Sequence, residues 1–449
     1  MAEDPDNPVN IPDYEGRETR TFSALNTETN KRYTVNAVHL AENDYCIVYG
    51  DPSAGISFET AKNIASGFED GVYPVITDAF GDFREHLGDK NFGQYAKLTL
   101  LLMDIKDGYN STTNSSYIAG YFYPGDMYNK KTLSYSNETA LLYMDISPGN
   151  PKGDEFLSVV AHEFQHLINF SIRMKQQDGG LKVKPQNTWI DEGLASAAEY
   201  LYGKKQIQNK IDYFNDDKGN DFSGGDTFLT WDSQYEDYCT VYLFFQWLRI
   251  QADGKQEIYK DIINSKHLDY RAVTGAAAKH IDGQFDDWET LLSYWLLANH
   301  VNAAEGALGY NGEITTKIRA ITGKRVSLAP GEGVFSYLDG NGFTPSDQPI
   351  GSHIRYLGVT QAGELISATG GVFPSGKTGR ILTFNANTES KARSTQTDSK
   401  WSQEVAGISE TGYLTGNAKP LPRTVEGARQ AASAQGPYPI DIPPSFFLE

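Results

Sequence analysis

Cysteine is almost absent from this sequence: Cys46 and Cys239 are the only two in 449 residues. A chain so poor in thiols is not a disulfide-stapled scaffold. Cys46 lies in the strand-like DYCIVYG and Cys239 in a helix-like segment, which favours two buried free thiols over a single disulfide. Basic residues are also in deficit, with 39 Lys and Arg against 58 Asp and Glu and a net charge of −19. That balance disfavours nucleic acid and anionic membrane surfaces as partners. No apolar run approaches the length of a membrane span, and no signal peptide is visible. The opening MAEDPDNPVNIPDYEG is polar and Pro-rich, like the first residues of a mature or trimmed chain, the kind of start that removal of an export signal leaves. The Asn-x-Ser/Thr sites at Asn110, Asn114 and Asn137 matter only in a glycosylating host.

What is present is a globular composition, 39% hydrophobic and 12% aromatic, on a chain long enough for two or three domains. Residues 1–20 read as an arm. From 21 to 150 strand-like runs dominate (RYTVNAVHL, YCIVYG, AKLTLLLMD, ETALLYMDI), interrupted by one helix with Ser57 as its cap. Residues 151–310 read as mainly helical, with helices beginning near Asp154, Asp191, Gln234, Lys255 and Phe285. The polar stretch from Gly203 to Thr230 reads as loop. Residues 311–449 read as a small all-β domain of short strands between Gly, Pro and Ser turns, followed by a Pro-rich tail. The fold class is therefore α+β.

The stretch SVVAHEFQHLINF, Ser158 to Phe170, carries the chemistry. It follows the turn signal SPGNPKGD and contains neither Pro nor Gly, so it reads as helix. Residues four apart share a helix face, and His162 and His166 can then aim two imidazoles at one point with Glu163 beside them. Two neutral nitrogen ligands and a neighbouring base are what a helical zinc site needs. Chance alone yields such a pattern in roughly one chain in a hundred of this size, so a third ligand has to decide. NTWIDEGLASAAEYLYG supplies Glu192, 26 residues after His166. A helix starting at Asp191 places Glu192 in its first turn, and the intervening KQQDGGLKVKPQNT has the residues to reverse the chain. Two antiparallel helices then bring Glu192 to the histidines.

With both pieces in place the chain resembles the zincin metallopeptidases of the gluzincin branch. More narrowly it resembles the hyicolysin-like family of bacterial secreted neutral metallopeptidases. The resemblance spans about residues 30–300 and rests on HEFQHLINF, WIDEGLASAAEY and YCTVYLFFQWL. It implies a zincin-like catalytic unit, built of a mixed-sheet subdomain and a helical subdomain, ahead of the β domain. It also implies His162, His166 and Glu192 as ligands of one Zn2+, Glu163 as general base and proton shuttle, and a protein or peptide as substrate. Thermolysin-like relatives carry an acid four residues after the third ligand to orient a zinc histidine; here that position is Ser196. Asp191 or Glu199 can supply the carboxylate instead.

Aminopeptidases of the branch carry Gly-x-Met-Glu-Asn upstream, whose Glu grips the substrate amine. The match here, GDMYN (Gly125 to Asn129), has Tyr128 in its place, which points to internal cleavage. The strand YIAGYFYPGDMY then becomes a candidate cleft edge. Tyr238 is the preferred oxyanion donor, ahead of Tyr235 and Tyr242, and His267, His280 and His300 are weaker candidates. NDDKGND, Asn215 to Asp221, offers carboxylates for Ca2+ but lacks EF-hand spacing, so a solvated loop is expected. A monomer is the default. The competing reading is a non-catalytic adhesin or binding protein on a zincin scaffold.

Overall fold

The computed structural model describes residues 12–388 except 87–94, 111, 113–116, 154, 178–182, 217–225, 230, 232–234, 284, 319–327, 345–352, 361 and 367–371. One compact unit takes in the described residues up to Pro185 together with Ala195–Lys205. A second takes in Gln186–Leu194 and the described residues from Gln206 onward.

The first unit is built on a six-stranded mixed sheet of β1 (Thr19–Asn26), β2 (Lys31–Glu42), β3 (Cys46–Gly50), β4 (Leu98–Met103), β5 (Gly120–Phe122) and β6 (Leu141–Asp145), in the order β1-β2-β3-β4-β6-β5. β1 and β2 pair antiparallel, as do β2 and β3, whereas β3–β4 and β4–β6 are parallel. The sequence explains the difference. β4 (LTLLLM) and β6 (LLYMD) bury every residue, as parallel strands covered on both faces do, while β2 mixes buried and exposed positions. β5 closes the sheet, antiparallel to β6.

Helix α1 (Phe58–Gly67) is capped as expected, with Ser57 Oγ accepting from Thr60 N at 3.1 Å. It continues through one π-helical turn, Phe68–Val72, into α2 (Tyr73–Phe80). At the junction the Tyr73 amide reaches back five residues to the Phe68 carbonyl, and Pro74 has no N–H to offer Asp70. Phe68, Tyr73 and Phe83 surround Phe164, with ring centroids 5.2, 6.1 and 5.9 Å away. Phe164 belongs to α3 (Phe156–Gln176), which this aromatic cluster seats in its unit.

α4 (Thr188–Gly203) begins three residues earlier than the sequence suggested, because buried Trp189 and Ile190 extend it backwards. Glu192 therefore lies in its second turn. The second unit contains α5 (Gln208–Asn215), α6 (Tyr235–Gln251), α7 (Glu257–Asn264), α8 (Tyr270–His280) and α9 (Trp288–Val301). Asp287 caps α9 by accepting from Thr290 N. Two of these helices correct the sequence reading. α5 falls in the stretch read as loop, where Ile211, Tyr213 and Phe214 bury enough surface to hold a short helix. α8 packs through Ala272, Val273, Ala276 and Ala277, residues too small to give a strong periodic signal. No described helix is long and apolar enough to cross a membrane.

β7 (Gly333–Asp339), β8 (Ile354–Val359), β9 (Leu365–Ile366) and β10 (Thr378–Asn385) form a separate antiparallel sheet, ordered β7-β10-β8-β9. Leu338, Ile366, Phe373 and Ile381 make its small core. Both cysteines are buried and free, and burial pushes the Cys46 thiol up to about 12.

Candidate metal centre

α3 buries 17 of its 21 residues, including His162, Glu163, Gln165, His166, Asn169 and Arg173. A helix that hides so many polar groups is not an ordinary amphipathic one. His162 and His166 lie one turn apart with ring centroids 4.9 Å apart and planes at 74°. α4 adds Glu192. One ligand atom from each of His162, His166 and Glu192 lies within 4.8 Å of the others, and all three residues are buried. Among the described residues this is the single group of His, Cys, Asp or Glu close enough to share an ion.

The donor set fits a catalytic zinc ion. It offers two imidazole nitrogens and one carboxylate oxygen, the donor types that catalytic zinc sites use. The partner of His162 bears on which ring nitrogen carries the proton. His162 Nδ1 lies 2.9 Å from Glu199 Oε1. With Nδ1–H donating to this carboxylate, the lone pair of the neutral ring sits on Nε2, the nitrogen left to face a metal. Of the two acids the sequence offered for this role, the structure gives His162 Glu199. Seven residues separate it from Glu192, which puts both on one face of α4. Ser196, where thermolysin-like relatives carry an acid, is fully buried.

Two glycines set distances here. A Cβ on Gly193, the residue after Glu192, would lie 2.3 Å from the Phe245 ring of α6, so α4 approaches that helix at a separation only glycine permits. A Cβ on Gly120 of β5 would lie 3.3 Å from Cγ of Glu163.

Tyr238 is buried on α6 with its ring edge-on to Trp231, centroids 5.0 Å apart. Tyr242 is committed elsewhere: its hydroxyl donates to Gln206 Oε1 at 2.5 Å and accepts from Ile207 N at 2.9 Å. Tyr235 packs edge-on against Tyr213. The three histidines named as alternatives have structural surroundings. His267 is exposed, His280 Nε2 meets Asp261 Oδ2 at 2.5 Å, and His300 stacks on Phe335 with centroids 4.5 Å apart.

Tyr128 is fully buried. Asp126, the one acid within GDMYN, has both oxygens engaged: Oδ1 accepts from Asn137 N and Nδ2, and Oδ2 from the Tyr143 hydroxyl. Neither residue stands ready to grip an ammonium group. Asn137 is itself buried, so in the folded protein this glycosylation sequence is closed, while Asn110 is exposed and Asn114 lies outside the described residues. The Ca2+ reading at Asn215 to Asp221 falls largely outside them too. Asn215 is used otherwise, its Nδ2 donating to Thr315 O and its Oδ1 accepting from Lys317 N.

No protein-family model matches the chain. Over 306 residues it is 28% identical to the neutral metalloprotease ShpI of Staphylococcus hyicus. The two proteins are homologous. The match covers 66% of this chain and 65% of ShpI, just under two thirds of the relative's length. It bears out the resemblance to hyicolysin-like neutral metallopeptidases that HEFQHLINF and WIDEGLASAAEY carry.

Proposed function

We propose that this protein is a zinc-dependent endopeptidase that hydrolyses internal peptide bonds of proteins and acts outside the cell, free or surface-attached. One observation carries the reading: His162, His166 and Glu192 are buried together within 4.8 Å, with Glu163 buried next to the first of them. The similarity to a neutral metalloprotease supports it. A binding protein on the same scaffold has no use for a carboxylate at Glu163, beside two buried imidazoles.

His162, His166 and Glu192 would hold the zinc ion, which when bound would supply Lewis-acid chemistry to the attacking water and the scissile carbonyl. Glu163 takes a proton from the attacking water as the new C–O bond forms. It delivers that proton to the amide nitrogen as the C–N bond breaks and the amine leaves. Glu199 holds His162 in one tautomer and one orientation throughout. The Tyr238 phenol is the donor assigned to the negative charge that develops on the former carbonyl oxygen. The engaged carboxylate of Asp126 and the neutral Tyr128 favour internal cleavage over N-terminal trimming.

Zinc analysis combined with cleavage of casein, with and without a chelator, tests the reading. The expected result is one zinc per chain, chelator-sensitive cleavage, and loss of both in a His162→Ala/His166→Ala variant. Stoichiometric zinc retained by that variant would remove the metal site, and cleavage indifferent to the chelator would remove the mechanism.

A further inference from the structure

Gly120 does not need to be glycine for the sake of its backbone. It lies in a strand and is not among the glycines of positive φ. Glycine inside a strand weakens it and marks a place where something approaches closely. The register of β5 shows what approaches. Tyr121 pairs with Tyr143 and stacks on it at 4.2 Å on one face of the sheet. Phe122 packs on Phe170 of α3 with centroids 5.8 Å apart. Gly120 shares the Phe122 face, two residues back along the strand. Glu163 lies two turns back along α3 from Phe170. A side chain at 120 would therefore point at Glu163.

An ideal Cβ there lies 3.1 Å from the Tyr143 carbonyl oxygen, 3.2 Å from Met144 Cε and 3.3 Å from Glu163 Cγ. Met144 Cε is the end of a flexible chain and yields. The Tyr143 carbonyl belongs to β6, paired with β5, and does not. That contact is relieved only by a small shift of β5, and the contact with Glu163 Cγ by a change in the torsions that aim its carboxylate.

We infer that Gly120 is a positioning residue: by carrying no side chain, it lets β5 lie against Glu163 and leaves that carboxylate the one orientation in which it can work. The inference rests on the proposed role of Glu163 as base. It adds a constraint from the strand, separate from anything the metal ligands impose.

A purely structural glycine predicts the opposite behaviour. Alanine in a strand interior is favoured over glycine, so Gly120→Ala would leave turnover alone and hold or raise the thermal midpoint. Under the positioning role, Gly120→Ala in the full-length, zinc-loaded protein lowers kcat for casein about tenfold, since misplacement by 1 Å costs about 10² and a methyl displaces by less. KM and zinc content stay within about twofold, and Gly120→Val loses more.

A double-mutant cycle on thermal unfolding reads the contact without activity. Glu163→Ala removes Cγ, so any drop in midpoint caused by Gly120→Ala should shrink in that background. If Gly120→Ala fails to fold by itself, the double variant should recover folding. Unchanged kcat in Gly120→Ala, or a midpoint penalty of equal size with and without Glu163, overturns the inference. Inactive wild-type protein, or full turnover by Glu163→Gln, overturns the function instead, and the unfolding cycle still reports on the contact.

Discussion

Glu163 and Glu192 on α3 and α4 are as deeply buried as Asp126, which follows β5, and Asp145, which ends β6, at 2% and 1% exposure against 0% for both aspartates. Their neighbours differ. Asp145 accepts from the amides of Ile105, Ser147 and Gly149. Asp126 accepts from Asn137 and Tyr143. These bonds tie loops to strands, and even so burial pushes both carboxyls up to about 6. The helix pair instead sits among imidazoles on rigid elements, where a carboxylate can bind a cation or move a proton. Depth alone does not mark a functional acid; the donors around it do.

Exchanging each acid for its amide is the sharpest way to break this comparison. Glu163→Gln keeps its shape and its zinc but cannot accept a proton, and turnover should fall by about 10²–10⁴. Metal content and casein cleavage measure the two effects separately, and near-normal turnover would take the base role from Glu163. Tyr238→Phe comes next. Loss of one oxyanion donor costs about 10²–10³ in kcat, with KM and zinc little changed, while Tyr242→Phe should act on folding through Gln206 and Ile207. A crippled Tyr242→Phe beside a healthy Tyr238→Phe would move the donor by one turn.

Glu199→Gln should weaken zinc binding by about 10–100-fold, read by competition with a chromogenic chelator. Glu199→Asp, which keeps the charge, should recover part of the loss. Wild-type affinity in Glu199→Gln would reduce the His162 contact to packing.

The smallest effect belongs to Asp126. A carboxyl raised from 3.8 to about 6 in the folded protein binds its proton more tightly there than in the unfolded chain. Stability then falls as pH rises between about 4 and 6, and the ionised form is buried at a cost above that. Asp126→Asn should flatten the midpoint curve over that window, by a few degrees at most. Thermal scans of both proteins in the same chelator keep metal loss out of the comparison, and parallel curves would discount the raised carboxyl.

Much of this was legible in the residues. The helix of His162 and His166, the downstream Glu192 and the strands of both sheets other than β1, which starts inside the stretch read as an arm, follow from spacing, caps and apolar runs. What escaped did so for physical reasons. α5 has too few apolar residues to show a period, and the small side chains of α8 hide one. Glu199 stood level with Asp191 until the geometry separated them, although a seven-residue step from Glu192 was already a same-face signal. Gly120 left no trace, because no sequence pattern states which helix residue a strand glycine will face.

The burial of Asn137 bears on how the protein is made. Its side-chain nitrogen lies within reach of Ser23 O, Asp126 Oδ1 and the Tyr143 hydroxyl. A eukaryotic secretory host attaches sugar to Asn-x-Thr while the chain is still unfolded, before that nitrogen is hidden. A glycan there could not enter the interior, and Asp126 would lose the amide that now solvates it. Material from such a host should split into a correctly folded, unmodified fraction and a glycosylated one that never matures, so the order of synthesis and folding would decide the yield.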